Sequence, residues 1–581
     1  MKNNKNIENT LKKYSGHLKE PVSVYINWAS YDELSDNIRL NEEIALQQLE
    51  EVIRLKNKGI KFDYYLMDAF WFSKKGGYRQ WREGSWPEGG QKWLSLCKKH
   101  NILPGLWFST NVRVAGYEYW FLDEIDEWKD SLSHDERAFC LFEGGYLSHF
   151  METLRTYAAQ GIKIFKFDFA DFTAVTPSGK EKYSPMEAYC LNKEAFIEAI
   201  KGFKEEFPDT VFLAYNGYGG YYLDTSAPRV NSIDFDWLQV FDSLYCGDPR
   251  LADIPCMNFW RSKDIYSDHM VRYYYDSGIP LPRIDNTAFM IGKTGTCYYR
   301  KKQAWKGMLL LSLCRGGWVN TYYGNLELID DQEADWFAKV QKIFFNFQQE
   351  EALKLVGGIP GKGETYGYLA NGLDGGILIL VNPSQTNRTE TINDYAPGIS
   401  EGSIIFTDRG KKPKIDNTKI KIGAEQLIVL GYGKYAAEEY NLGIEPDVHI
   451  PEALDDIGLP FVPDTHENAI TWHGKLEMAG TYRIVVQLYE QYGNPARLSG
   501  GAYPDGTTME KIIVIKVKAG GKDIPVTLDY DKALWSGLSW GVGEFELKQE
   551  DNDEPLTIIC TAKHPEKLTL RSTVYKITRT S

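Results

Sequence analysis

The stretch Ile162-Lys163-Ile164-Phe165-Lys166-Phe167-Asp168-Phe169-Ala170-Asp171-Phe172 is a short run of β-prone residues ending in a cluster of carboxylates. On a strand, residues two apart share a face, so Lys166 and Asp168 point the same way. A buried parallel strand gains nothing structurally from an ammonium and a carboxylate at its C-terminal end. A (β/α)8 barrel uses such groups, because its active site lies where the strands end. A plain Lys–Asp ion pair at a strand terminus is the competing reading. The flanking chain decides against it.

Outward from that strand, apolar runs and helical patterns alternate. Val22–Trp28 is strand-like and ends in Asn27-Trp28; in Asn41–Lys58, Ile44, Leu46, Leu49, Val52, Ile53 and Leu55 recur at helical spacing. Phe62–Phe72, Ile102–Phe108, Val211–Asn216, Pro280–Asp285 and Gly316–Tyr323 read as further strands. Trp93–Lys99, Leu147–Gln160, Met186–Glu206, Tyr266–Ser277 and Lys302–Leu313 read as helices. About eight such units fit between residues 20 and 350, the size of one barrel. A doubly wound open sheet would carry a Gly-rich phosphate loop after a strand, and the sequence has none.

Beyond residue 350 the texture changes. Short strands at Glu364–Tyr368, Gly376–Val381, Ser403–Phe406 and Gln426–Tyr432 predict a small antiparallel β-sandwich over 351–440. Ala437–Thr465 reads as a linker, and strands from Ala469 onward predict a C-terminal β-sandwich, so that 441–581 is linker plus sandwich. The expected fold class is therefore α/β: a (β/α)8 TIM barrel over 1–350 followed by two all-β sandwich domains.

Composition narrows the partners. A net charge of −14 and a pI near 5.3 argue against nucleic acid, which needs a basic face. Aromatics make up 14% of the chain, with 16 Trp and 37 Tyr. Flat C–H faces of sugar rings stack on such planes, which suits an oligosaccharide or glycoside substrate. The eight cysteines show no C-x-x-C and no His-rich spacing, so reduced thiols are expected, with no metal and no cofactor. Met1–Glu20 is polar, neither signal peptide nor membrane span. A native start at Met1 implies a cytoplasmic protein; removal of a signal peptide would make it periplasmic or secreted.

The barrel motifs resemble the retaining α-galactosidase clan, in the group of α-galactosidases and raffinose synthases. Asn27-Trp28 resembles its first strand, and Leu66-Met67-Asp68-Ala69-Phe70-Trp71 its Asp-Asp-Gly-Trp strand, followed by Trp81 and Trp86-Pro87-Glu88-Gly89. Gly105-Leu106-Trp107-Phe108 is similar to its third strand, and Lys166-Phe167-Asp168 to its nucleophile strand. Arg261-Ser262-Lys263-Asp264 resembles the acid/base segment, and Gly316-Gly317-Trp318-Val319 the approach to the last strand. Ala69 replaces the family's second Asp, Ser109-Thr110 replaces its Pro-Glu, and no large β-domain precedes the first strand. The resemblance implies a hydrolase that cleaves a terminal α-linked galactose-type sugar with retention. An α-N-acetylgalactosaminidase or a galactosyl-transferring enzyme is the nearest alternative, and a non-catalytic carbohydrate-binding barrel the alternative from another class.

The chemistry also follows from the residues. Retention needs two carboxyl groups about 5–5.5 Å apart, one ionised and one protonated. Asp168 suits the nucleophile, with Lys166 on its face favouring the ionised form. Asp264, two β/α units on, suits the acid/base, with Arg261 to bind substrate and orient the pair. A carboxylate favouring the dipole of the Tyr266–Ser277 helix is the structural alternative for Asp264. Asp242, ending the apolar run Trp237–Phe241, is the rival acid/base; residues 243–260 then read as an insertion, and Asp264 is preferred. Trp28 and Trp107 are expected as sugar platforms, and Trp71 equally as platform or packing. Asp68, Asp285 and Asn216, with Tyr215, are expected to grip hydroxyls. In the last domain Trp472, Trp535 and Trp540 would serve a sugar-binding face, although sandwich tryptophans belong more often to the core.

Overall fold

The computed structural model describes residues 18–32, 38–113, 127–221, 228, 230–248, 253–256, 259–293, 302, 304–350, 352–399, 401–408, 412–445, 452–456, 462–476, 479–491, 493, 496, 512–529 and 540–578. Eight parallel strands form the barrel: β1 (Val22–Ile26), β2 (Tyr64–Met67), β3 (Leu103–Ser109), β4 (Ile164–Asp168), β5 (Val211–Ala214), β6 (Ser243–Leu244), β7 (Asn286–Ile291) and β8 (Val319–Gly324). Their order around the sheet is β6-β5-β4-β3-β2-β1-β8-β7. Among the described residues one parallel bridge, Leu244 with Ile284 in the turn before β7, closes the ring, with the Asp285 amide donating to the Leu244 carbonyl at 3.0 Å. That seam is the thinnest part of the barrel wall.

The outer helices are α1 (Glu42–Asn57), α2 (Gln91–Lys99), α3 (Tyr146–Ala159), α4 (Pro185–Glu206), α5 (Phe259–Ser277), α6 (Trp305–Cys314) and α7 (Asp331–Gln349). Their starts are encoded locally. Asn41 caps α1 by accepting from the Ile44 amide, and Ser184/Glu187 and Asp330/Glu333 form capping boxes on α4 and α7. Between β5 and β6 the described chain forms only a 3₁₀ turn, Phe235–Gln239.

Three sequence expectations shift in register. The helix expected at Tyr266–Ser277 begins two turns earlier, because nothing between Phe259 and Ile265 breaks it, so Asp264 lies inside α5. Pro280–Asp285 is a 3₁₀ turn rather than a strand, since Pro280 and Pro282 donate nothing to a ladder, and β7 begins at Asn286. Residues 243–244 are barrel strand β6 itself, not the start of an insertion.

The β-rich half comprises two further regions. A six-stranded sheet built from Leu353–Gly357, Tyr366–Gly372, Gly375–Val381, Leu427–Gly433, Ser403–Thr407 and Gly443–Ile444 faces a three-stranded one over a core of Leu378, Leu380, Ile392, Ile420 and Ile428. The C-terminal region packs two five-stranded sheets. Strands Glu452–Asp456 and Val462–His466 belong to it, so the expected linker is partly strand. Trp540 is fully buried there and the Trp472 indole donates to Ser572 within the sandwich. Trp540 therefore belongs to the core, Trp472 is only partly buried, and Trp535 lies outside the described residues.

Candidate active site

The ends of the barrel strands open into one cleft. Three of these ends turn through left-handed, non-glycine residues: Ala29 after β1 (φ 80°), Phe70 after β2 (φ 75°) and Phe169 after β4 (φ 46°). Such backbone costs about 1–3 kcal/mol per residue and persists where surroundings enforce it. Here the β2 and β4 turns fold main-chain amides back onto carboxylates. Phe169 N–H donates to Asp168 Oδ1 at 2.9 Å, and Ala69 N–H to Asp68 Oδ1 at 2.8 Å.

Asp168 is buried and has three donors. Its Oδ1 also accepts from the Asn216 amide at 3.0 Å, while Oδ2 accepts the longer 3.3 Å bond from the Trp107 indole. Burial pushes its pKa up to about 6; Lys166 opposes this, and the charges of Asp248 and Asp68 add to it. Lys166 is bonded to Asp68, not to Asp168: its Nζ lies 2.7 Å from Asp68 Oδ2 and 4.0 Å from the centre of the Tyr215 ring. Lys166 favours the ionised form of Asp168, as its place on the same face predicts, but acts through space rather than by direct pairing, and desolvation outweighs its pull.

Opposite, Tyr215 and Tyr323 share a 2.6 Å hydroxyl bond, and Tyr215 donates to Asp285 Oδ1 at 3.3 Å. The Thr287 hydroxyl holds Asp285 Oδ2 at 2.8 Å. Burial lifts Asp285 to about 6 against the pull of Thr287 and Lys166. Asp285 thus reaches the cleft from the turn before β7, not from a strand end.

Trp28, Asp68, Trp107, Lys166, Asp168, Asn216, Asp264 and Asp285 all line the cleft. Arg261 does not: it is buried on the far side of α5, paired with Asp264 at 3.4 Å and with Asp408 of the β-rich half. Its expected contact with substrate is corrected. Asp264 sits on α5 behind the β6–β7 seam rather than at the barrel mouth, and burial pushes it up to about 6 despite Arg261 and Arg315. Asp242 precedes β6 at the opposite end of the barrel. Its carboxylate accepts from Lys204 at 3.1 Å and from the Phe212 amide at 2.9 Å, a structural pairing outside the cleft. Trp71 is wholly buried, its indole donating to the Trp107 carbonyl at 2.9 Å, and is packing.

Sequence reasoning passed over Asp248. It lies four residues past β6, lines the cleft, and accepts from Tyr245 at 3.0 Å, whose ring stacks on Tyr215 at 4.5 Å. Little in the sequence marks it: Asp242 and Ser243 separate Tyr245-Cys246-Gly247-Asp248 from the apolar run Trp237–Phe241.

No protein-family model matches the chain, and neither does any curated protein. Among solved structures, it is similar to a GH27 β-L-arabinopyranosidase from Geobacillus stearothermophilus (10% identity, 71% of this chain and 96% of that one, TM-score 0.47). An α-amylase from Lactobacillus plantarum matches at 12% identity, 72% and 99% coverage and TM-score 0.46. A maltogenic α-amylase from Thermotoga neapolitana matches at 13%, 72% and 99%, TM-score 0.45. Likeness at this level carries nothing about chemistry, which rests on the cleft.

Proposed function

We propose that the protein is a retaining glycoside hydrolase that removes a terminal α-linked galactose-type sugar through a glycosyl-aspartate intermediate. The observation that carries this reading is Asp168: a buried carboxylate at a barrel-strand end, fixed by backbone and indole donors, inside a cleft walled by Trp28, Tyr215 and Tyr323. Its Oδ1 is occupied by two amides, so Oδ2 is the oxygen that attacks the anomeric carbon. The Asp68–Lys166 pair offers an acceptor and a donor side by side, suited to neighbouring ring hydroxyls. The galactose-type preference rests on the resemblance of the barrel motifs alone.

Asp248 is the proton donor we favour. It follows the sixth barrel strand, faces the same cleft, and its charge acts on Asp168. In the first step its proton passes to the leaving oxygen as Asp168 Oδ2 bonds to carbon. In the second, the Asp248 carboxylate takes a proton from the water that displaces Asp168. Asp264 is the second reading, favoured by a pKa near 6 that keeps it partly protonated.

Leaving-group dependence separates the two. The true acid's Ala variant should lose oligosaccharide cleavage while keeping part of its rate on a dinitrophenyl glycoside, and azide should yield a glycosyl azide of retained configuration. Asp248→Ala is expected to behave so and Asp264→Ala not; the reverse swaps the roles. Asp168→Ala should lose several powers of ten in rate, with azide giving an inverted product. Oligosaccharide binding without turnover on any aryl α-glycoside would instead mean a non-catalytic binding barrel, and an α-N-acetylgalactosaminide preference or transfer to sugar acceptors would mark the nearer alternatives.

A further inference from the structure

Two carboxyl groups of the cleft, Asp168 and Asp248, are anchored through one strand end. β5 stops at Ala214, and the next two residues, Tyr215 and Asn216, take one carboxyl group each. The Asn216 amide donates to Asp168 Oδ1 at 3.0 Å. The Tyr215 ring stacks on Tyr245, with centroids 4.5 Å apart and planes 21° from parallel, and the Tyr245 hydroxyl donates to Asp248 Oδ1 at 3.0 Å. Both tyrosines are themselves fixed. Tyr215 shares a 2.6 Å hydroxyl bond with Tyr323, donates to Asp285 at 3.3 Å, and carries the Lys166 ammonium 4.0 Å from its ring centre. The Tyr245 amide donates to the Ala214 carbonyl at 2.9 Å, and the carbonyl before it, that of Leu244, accepts from Asp285 at 3.0 Å. Between Tyr245 and Asp248 the chain turns through Gly247 at φ 105°, where a Cβ would lie 2.2 Å from Asn231 Nδ2.

We propose that Tyr245 is the positioning residue of the acid/base, and that the Tyr215-Asn216 strand end sets the span between nucleophile and acid by holding Asp168 through an amide and Asp248 through the stacked rings. The inference rests on the reading of Asp248 as the proton donor. Burial first, and the charge of Asp248 next, push the Tyr245 phenol well above its usual pKa, so it keeps its proton and donates throughout the cycle. A hydroxyl donates more strongly to a carboxylate than to a neutral carboxyl group. The bond therefore strengthens as the leaving oxygen takes the proton, and it steadies Asp248 as the base when water attacks. It also occupies Oδ1, which directs Oδ2 to the glycosidic oxygen. The effect of Tyr245 runs through Asp248, not through the sugar.

Paired kinetics on the full chain with dinitrophenyl and methyl α-galactoside are the test, since the two share the sugar and differ in how far the leaving group needs a proton. Losses in sugar binding cancel in the ratio of the two kcat/KM values. Tyr245→Phe removes one hydroxyl and keeps the stack. Its kcat/KM on the methyl glycoside is expected to fall about tenfold or more, the effect of losing a hydrogen bond to a charged group, and on the dinitrophenyl glycoside to stay within about threefold. Tyr215→Leu removes the stack but not the Asn216 amide, and should show the same split on top of any loss common to both substrates. Should Tyr215→Leu fail to fold, Tyr245→Phe decides alone. Equal losses on both substrates in Tyr245→Phe, or no loss on either, overturn the inference. Asp248→Ala separates it from the reading beneath: a split there without one in Tyr245→Phe leaves the proton donor standing and removes only this inference. No split in Asp248→Ala, or an unmodified protein that cleaves neither glycoside, removes both.

Discussion

At the scale of single residues, the cleft is a place where burial is set against charge. Asp168, Asp264 and Asp285 are all lifted to about 6, in each case chiefly by desolvation. A nucleophile must be ionised, so kcat/KM on an activated aryl glycoside should fall as pH drops through about 6, an acid limb read from initial rates. The same shifts bear on stability. A carboxyl whose folded pKa is raised costs nothing below its unfolded value, and its penalty grows as pH rises through the folded one. Asp285 is the clean case, because both its partners are hydroxyls, Thr287 and Tyr215, that can accept from an amide as readily as donate. Asp285→Asn should therefore raise stability by about 1–3 kcal/mol at pH 7, with the gain gone near pH 4, as measured by denaturant titration at both pH values.

At the scale of elements, the site depends on how closely β3 and β4 run. Gly105 pairs with Ile164, and a Cβ at Gly105 would lie 2.8 Å from the Ile164 carbonyl oxygen. Gly105→Ala should push the strands apart and carry Trp107 away from Asp168; thermal stability should fall and kcat fall further than KM changes. Much of this was legible in the sequence. Lys166 and Asp168, two apart on an apolar strand, announced a barrel mouth, and apolar residues at helical spacing over Asn41–Lys58 and Met186–Glu206 announced α1 and α4. The sixth unit was not legible. Its strand is two residues long and preceded by a 3₁₀ turn, so hydrophobic pattern attached Asp242 to the wrong end and left Asp248 unnoticed. Arg261 misled for another reason: its partner Asp408 comes from the β-rich half, a contact no local pattern encodes.

At the scale of the whole molecule, α5 ties the barrel to the β-rich half through Arg261–Asp408 and through Asp268 with Tyr366 and Tyr368. Removing one member of a buried pair costs about 3–5 kcal/mol. Asp408→Ala should lower the melting temperature and split what is expected to be a single calorimetric transition for barrel and adjoining sheet into two; one unsplit, unshifted transition would argue that the halves fold independently. The chemistry delivered by this assembly reduces to one covalent bond. Incubating the full chain with a 5-fluoro-α-galactosyl fluoride and mapping the modified peptide by mass spectrometry tests it most directly. The account predicts one fluoroglycosyl group per chain, on Asp168, with activity lost in step and recovered as the ester hydrolyses. Label on Asp248, Asp264 or Asp285, or full turnover with no label on Asp168, would contradict it.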